Sequence, residues 1–248
     1  MKAWQWISLC VVGFLVFLIA YAPATLIYRF LPQDLNVVIS QPTGTLFKGK
    51  MSTVGYNGIL FDNFTWKLSP FSLLLGKVKL DINGGNIRND NLAYVDGVLA
   101  VSLFNTSHLT ASDLTLLMPI KSVLAQVKVP VQISAQGRIR VDLVEADVKS
   151  QCQQLDGTGS WNNASIVLNQ QSVQLGSFQA NLSCEGDGFA ALVGGDNKFN
   201  LDAKFVLSPQ GRLSQSGSFM LDPSLPQPMQ QAAVFFGNPD PNGRYILR

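Results

Sequence analysis

The sequence predicts a mainly β fold: one N-terminal transmembrane helix, then a large, mostly antiparallel curved sheet or half-barrel with few short helices. Three observations predict it. No residue from Ala3 to Tyr28 is charged. Past that run, apolar residues recur at every second position in several segments, the spacing that gives a strand one buried and one wet face. Of the 16 acidic residues 14 are Asp, alongside 21 glycines. Asp and Gly suit turns, whereas Glu, the helix former, occurs only as Glu145 and Glu185.

The first element is the uncharged run. Lys2 precedes it and Arg29 closes it, and a helix needs ~20 such residues to cross a bilayer. Trp4 and Trp6 at one end, and Tyr21 and Tyr28 at the other, sit where aromatic rings favour the membrane–water interface. The chain thus divides into a cytoplasmic tip (1–3), a transmembrane anchor (4–24) and an exported β-rich domain (31–248). A cleaved signal peptide is the competing reading, cut after Ala20-Tyr21-Ala22 or Ala22-Pro23-Ala24. Pro23 opposes the first cut, and the run is long for such a peptide. Both readings export everything past about residue 30.

Strands follow from alternation. Lys77–Asn83, Arg138–Leu143 and Lys198–Phe205 are apolar at every second residue, and Phe178, Ala180, Leu182 and Cys184 share a face in another such segment. Gly84-Gly85, Asp156-Gly157, Gly186–Gly188 and Gly194–Asp196 read as the turns. The runs Leu73–Leu75, Val98–Val101 and Leu114–Met118 exceed what one buried face needs; they fit strands buried on both sides, or a sheet apolar on both faces. Pro119–Gln126 and Pro228–Phe236, stopped by Gly237, are the helix candidates. A final strand covers Arg244–Leu247, and a domain boundary, if any, falls near 119–130.

Beyond residue 30 basic and acidic residues balance, since Lys2 and Arg29 are the two of 18 that lie before it. No basic footprint for nucleic acid results. Cys10 falls inside the apolar run, too early to be a lipidation site. Cys152 and Cys184 form an even pair in an exported, disulfide-permitting domain and are predicted to bond; two separate core thiols are the alternative.

Chemistry is sparse. His108, the one histidine, falls in the strand-like Thr106–Thr110 and reads as a solvent-facing side chain, so a zinc site is not expected. No nucleophile elbow, Walker loop or dinucleotide fingerprint occurs. Asn238–Gly243 matches the opening of a calcium loop, but its two prolines suit a tight turn better. Glu145 and Asp147 share one strand face and read as surface decoration rather than a glycosidase pair. No catalytic residue, cofactor or metal is assigned, and the chain does not read as an enzyme.

Several segments together resemble a known family: Gly44–Lys50, then Phe64–Val78 with its Trp66-Lys67-Leu68-Ser69-Pro70 core, the pair Cys152 and Cys184, and the close Asn242–Leu247. In this order, after an N-terminal span, they are similar to protein N of the bacterial type II (general) secretion pathway. The resemblance implies a single-pass protein of the inner membrane with a periplasmic domain, an accessory part in exporting folded proteins. It implies inner-membrane component C and the outer-membrane secretin as partners, and transfers no active site. The same design also resembles the AsmA-like group, which would make an apolar groove for lipid the alternative function.

Overall fold

The computed structural model describes residues 3–26, 37–56, 58–124, 134–168 and 171–247; Tyr28, Arg29 and the end of the helix predicted over 119–126 lie outside them. Helix α1 (Ala3–Ala20) has 18 residues, about 27 Å at the α-helical rise. Its described large apolar side chains, from Trp4 to Leu18, are all more than half exposed. Among the described residues no helix is long and apolar enough to cross a membrane, because α1 stops at Ala20, short of the span expected over 4–24. Pro23 explains the stop: it has no N–H to give a helix and its ring disfavours helical geometry in the residue before it. The chain turns onto the sheet instead. Pro23 bridges to Thr45, the Leu46 N–H donates to the Ala22 carbonyl at 2.9 Å, and Ala24 is buried in one turn of 3₁₀ helix over Ala24–Leu26.

Fifteen strands form a single sheet. They are β1 (Val37–Ile39), β2 (Thr43–Gly44), β3 (Lys48–Tyr56), β4 (Ile59–Leu68), β5 (Lys77–Gly84), β6 (Tyr94–Ser102), β7 (Leu109–Pro119), β8 (Ser134–Gln136), β9 (Arg138–Lys149), β10 (Gln151–Leu168), β11 (Gln171–Glu185), β12 (Gly188–Gly194), β13 (Asp202–Leu207), β14 (Leu213–Phe219) and β15 (Tyr245–Leu247). The order β1-β3-β4-β5-β6-β7-β9 through β15 is a meander, with β2 beside β3 and β8 beside β10. All pairings between strands are antiparallel. The outermost strands, β1 and β15, have three residues each, and such short edges limit unwanted pairing. Short helices α2 (Pro70–Leu74), α3 (Ile120–Leu124) and α4 (Gln227–Ala232) sit in connections. The last runs into a 3₁₀ turn to Phe236, and Gly237 follows at φ 97°.

One face of this sheet is apolar from strand to strand. Trp66, Ile82, Gly97, Leu143, Gly157, Leu182, Ala191 and Phe205 lie along one register line. Two bulges keep the line intact. Asp113 on β7 (φ 49°) is an extra residue relative to β6, and Val144 on β9 is one relative to β10. The two sit opposite each other, between the pairs Ser112–Glu145 and Leu114–Leu143. Each bulge switches the parity of its strand, so Leu116 and Leu114 share a face with Ala111 and Leu109. A bulge also bends its strand and sharpens the local twist.

Among the described residues nothing is stacked on most of that face. The accessible surface is 16209 Å², against the ~10,800 Å² of a compact monomer of this mass. Two local cores exist. One packs Ala24, Met51 and Trp66; the other packs α3 and Leu225 against Ala135, Ala164, Ile166, Val173 and Leu175. Three expectations are corrected here. Asp156-Gly157 is not a turn but lies within the 18 residues of β10. Lys198–Leu201 is the turn before β13, with Asn200 at φ 39°, because the Asn197 carboxamide oxygen accepts from the Phe199 and Leu201 N–H groups. Leu73–Leu75 is no strand: Ser69 caps α2 and Pro70 starts it.

Candidate functional site

The polar face carries a row of hydrogen-bonding residues across adjacent strands. Lys50, Thr65, Asn83, Asp96, Thr115 and Asp142 are successive cross-strand partners. Asn83 donates to the Asp96 carboxylate, and Thr115 Oγ1 donates to Asp142 at 2.7 Å. Arg140 grips both oxygens of Asp142, its Nη2 at 2.8 Å. The guanidinium bond, seconded by Thr115, holds the Asp142 carboxyl below its ordinary value against the opposing cost of burial. The same bond to Asp142 raises Arg140. An open cleft of about 800 Å³ lies over this region, with Lys48, Lys50 and Lys67 from β3 and β4 and Asp81, Asp96 and Asp113 from β5 to β7 in its lining. The Asn83–Asp96 and Thr115–Asp142 pairs hold neighbouring strands in register.

The apolar face offers a shallower trough of about 360 Å³, lined by Ile139, Val141, Trp161, Phe178, Leu182 and Val193. Trp161 and Phe178 stack at 5.5 Å, and the Trp161 indole donates to the Gln136 carbonyl at 3.1 Å. At the far end of the β10–β11 hairpin Cys152 and Cys184 are bonded, with Cα atoms 5.6 Å apart and a separation of 32 positions in sequence. The Cys152 N–H donates to the Asp187 carbonyl at 3.0 Å, so the β11–β12 turn packs on the same bridge. Cys10 is exposed on α1.

A third surface forms where α1 meets the sheet, and the sequence segments singled out above build it. The Trp66 indole donates to the Leu46 carbonyl at 3.0 Å and its ring covers Gly49, where a Cβ would come within 2.2 Å of it. The Leu68 N–H donates to the Phe47 carbonyl at 2.7 Å. Next come α2 and the loop after it. Gly76 turns the chain at φ 71°, the Leu103 N–H donates to the Gly76 carbonyl at 2.8 Å, and the Phe104 ring lies over Gly76 so closely that no Cβ fits. The two loops present Phe71, Leu74, Leu75, Leu103 and Phe104 outward, at 53 to 90 % exposure. Sequence reasoning missed this tip; the signal available was Ser69-Pro70 as a helix start and Gly76 as its stop.

Other singled-out residues have structural partners. His108 precedes β7 rather than facing solvent on a strand: its Nε2 lies 3.1 Å from Asp147 Oδ1 with both side chains largely covered. The contact misses hydrogen-bond geometry. Glu145 accepts from Gln154 at 2.9 Å. Asp240 accepts from the Asn242 and Arg244 N–H groups at 2.9 and 2.8 Å, which makes Asn238–Gly243 a turn. Arg244 then donates from Nε to Ser218 Oγ at 2.8 Å and from Nη2 to the Asn200 carbonyl at 2.9 Å, fastening β15. Arg138, nearly buried, donates to the Ile87 and Leu92 carbonyls at 2.7 and 3.2 Å and so pins the β5–β6 loop. Among the described residues no cluster of His, Cys, Asp and Glu could hold a metal ion.

Such a molecule is an open-sheet protein in which several polar side chains tie neighbouring strands together. The chain belongs to the type II secretion system protein N family, whose model matches residues 35–248. It is 28% identical to a type II secretion system protein N of Aeromonas hydrophila over 97% of this chain and 95% of that one. The corresponding figures are 26%, 92% and 89% for the Vibrio cholerae protein of the same name, and 22%, 95% and 90% for that of Klebsiella pneumoniae. No solved structure matches the chain. The protein is therefore an accessory component of the type II secretion machinery.

Proposed function

We propose that this chain is a non-catalytic scaffold of the secretion machine, held in the inner membrane by α1 with its sheet in the periplasm and residues 1–3 in the cytoplasm. The observation that carries the reading is the open sheet. Among the described residues most of a face 13 strands wide is left without a second layer, and such a face is a surface for another protein. Inner-membrane component C and the outer-membrane secretin are the proposed partners. The uncharged α1 supports the anchor. At 18 residues it is slightly short for ~30 Å of hydrocarbon, a shortfall a bilayer accommodates by local thinning and by interfacial anchors. Trp4, Trp6 and Tyr21 stand exposed near its ends to act as those anchors. Deleting the gene in its host should stop folded exoproteins reaching the medium, with a plasmid copy restoring them. Unchanged secretion, or failure to co-purify either partner, would count against the scaffold.

The apolar trough over Trp161 and Phe178 favours a second reading, a groove that holds an acyl chain. Gentle extraction followed by native mass spectrometry separates the two. Stoichiometric lipid bound to the intact chain, lost on Val141→Asp, supports the groove; lipid-free protein leaves the scaffold.

A further inference from the structure

The loops beside the end of α1 form a patch whose occupant the chain itself identifies. Phe71, Leu74 and Leu75 on one loop and Leu103 and Phe104 on its neighbour are exposed, and neither 69–76 nor 103–108 contains an acidic residue. The patch is held in shape, not loose. Ser69 caps α2, its N–H donates to the Lys79 carbonyl at 2.9 Å, and the Gly76–Leu103 bond ties the loops together. Hydrogen bonds lead strand by strand from it to the end of α1: Leu103 to Gly76, Ser69 to Lys79, Leu68 to Phe47 and Leu46 to Ala22. Four such steps put the far side of the patch within roughly 20 Å of the point where α1 meets the sheet. Behind the apolar tips stand the exposed Lys48, Lys67, Lys77 and Lys79 at the same ends of β3, β4 and β5.

We propose that this patch rests on the bilayer that holds α1, with Phe71, Leu74, Leu75, Leu103 and Phe104 entering the headgroup–acyl boundary and the four lysines meeting anionic headgroups. Large apolar side chains backed by lysines are the composition of interfacial membrane contacts. The loops meet the membrane because the α1 junction already lies at the same end of the strands. The inference rests on α1 being membrane-seated, and it adds a second attachment that fixes how the sheet stands. Without it, the domain would swing from a single point.

The test uses the full chain in vesicles of phosphatidylethanolamine and phosphatidylglycerol that carry quencher-labelled acyl chains. An environment-sensitive fluorophore is attached in separate proteins at native Cys10, or, in a Cys10→Ser background, at Leu74→Cys, Phe104→Cys or Ser224→Cys. Leu74 is 83% exposed, so its replacement spares the fold. A blue shift and quenching at 74 and 104, absent at 224 and weakened when phosphatidylglycerol is omitted, is the expected result. Labels at 74 and 104 as unquenched as that at 224 overturn the docking. So do labels shielded only when another secretion component is added, since the patch would then be a protein contact. The Cys10 label reports on α1 separately: quenching there with unquenched loops rejects the docking and leaves the anchor standing. An unquenched Cys10 label rejects the anchor itself.

Discussion

Gly49 and Trp66 face each other across β3 and β4, and the indole reaches past the glycine to the Leu46 carbonyl. The glycine is there because any Cβ would strike the ring. Gly49→Ala should therefore cost about 1–3 kcal/mol through overpacking, read as a lower denaturation midpoint; an unchanged midpoint would mean the ring moves freely. A second residue-scale effect is acid sensitivity. The carboxyl of Asp142 is lowered by its bond from Arg140, so its contribution is present above the unfolded carboxylate value near ~3.9 and vanishes as pH falls through its lower folded value. Both side chains are over a third exposed, which limits the effect to under about 1 kcal/mol. Asp142→Asn should be less stable than the parent at neutral pH and should lose less on acidification below about pH 4. Parallel acid profiles would assign the acid loss to other groups.

At the scale of elements, the β10–β11 hairpin joins the two longest described strands, of 18 and 15 residues, and is closed at one end by Cys152–Cys184. Replacing both cysteines by alanine should lower stability by about 3 kcal/mol on the loop-entropy argument, and reductant should reproduce the loss in the parent. Strand existence was legible in the alternation of Lys77–Asn83 and Arg138–Leu143, because a one-sided sheet must alternate. The bulges at Asp113 and Val144 were not. A parity switch looks like broken alternation until the partner strand shows which residue is extra. Asp156-Gly157 misled for a related reason. Its glycine serves close packing against Leu143, where a Cβ would come within 2.6 Å, rather than a turn. The apolar run Leu73–Leu75 was read for a core it does not join.

For the whole molecule, a single layer changes how stability is distributed. Each strand is held almost wholly by its two neighbours, so opening can begin at the short edges and advance inward, as in repeat proteins. Hydrogen exchange should proceed first in β1, β2 and β15 and last in β9 to β11. Uniform protection across the sheet would require a second layer or a permanent partner. The membership of the chain in a secretion family was legible from a few ordered segments, and the structure gives the reason for two of them: Gly44–Lys50 and Phe64–Val78 pack on each other at the α1 junction. The exposed tips beside them were illegible, since exposure of a leucine is a property of the fold and not of its sequence neighbours.

The meander order has a consequence for export itself. Apart from the two short side strands, nearly every strand bonds to the one made just before it. On the proposed topology residues 1–3 stay in the cytoplasm and the start of the sheet emerges first, so strands can add to a growing edge as each appears. β3 to β7 need nothing from downstream to pair. On that topology the Cys152–Cys184 bond can close once 32 residues past Cys152 have emerged, sealing the β10–β11 hairpin before β12 to β15 follow. Arg244, which reaches back to Asn200 and Ser218, then fastens β15 to strands already paired.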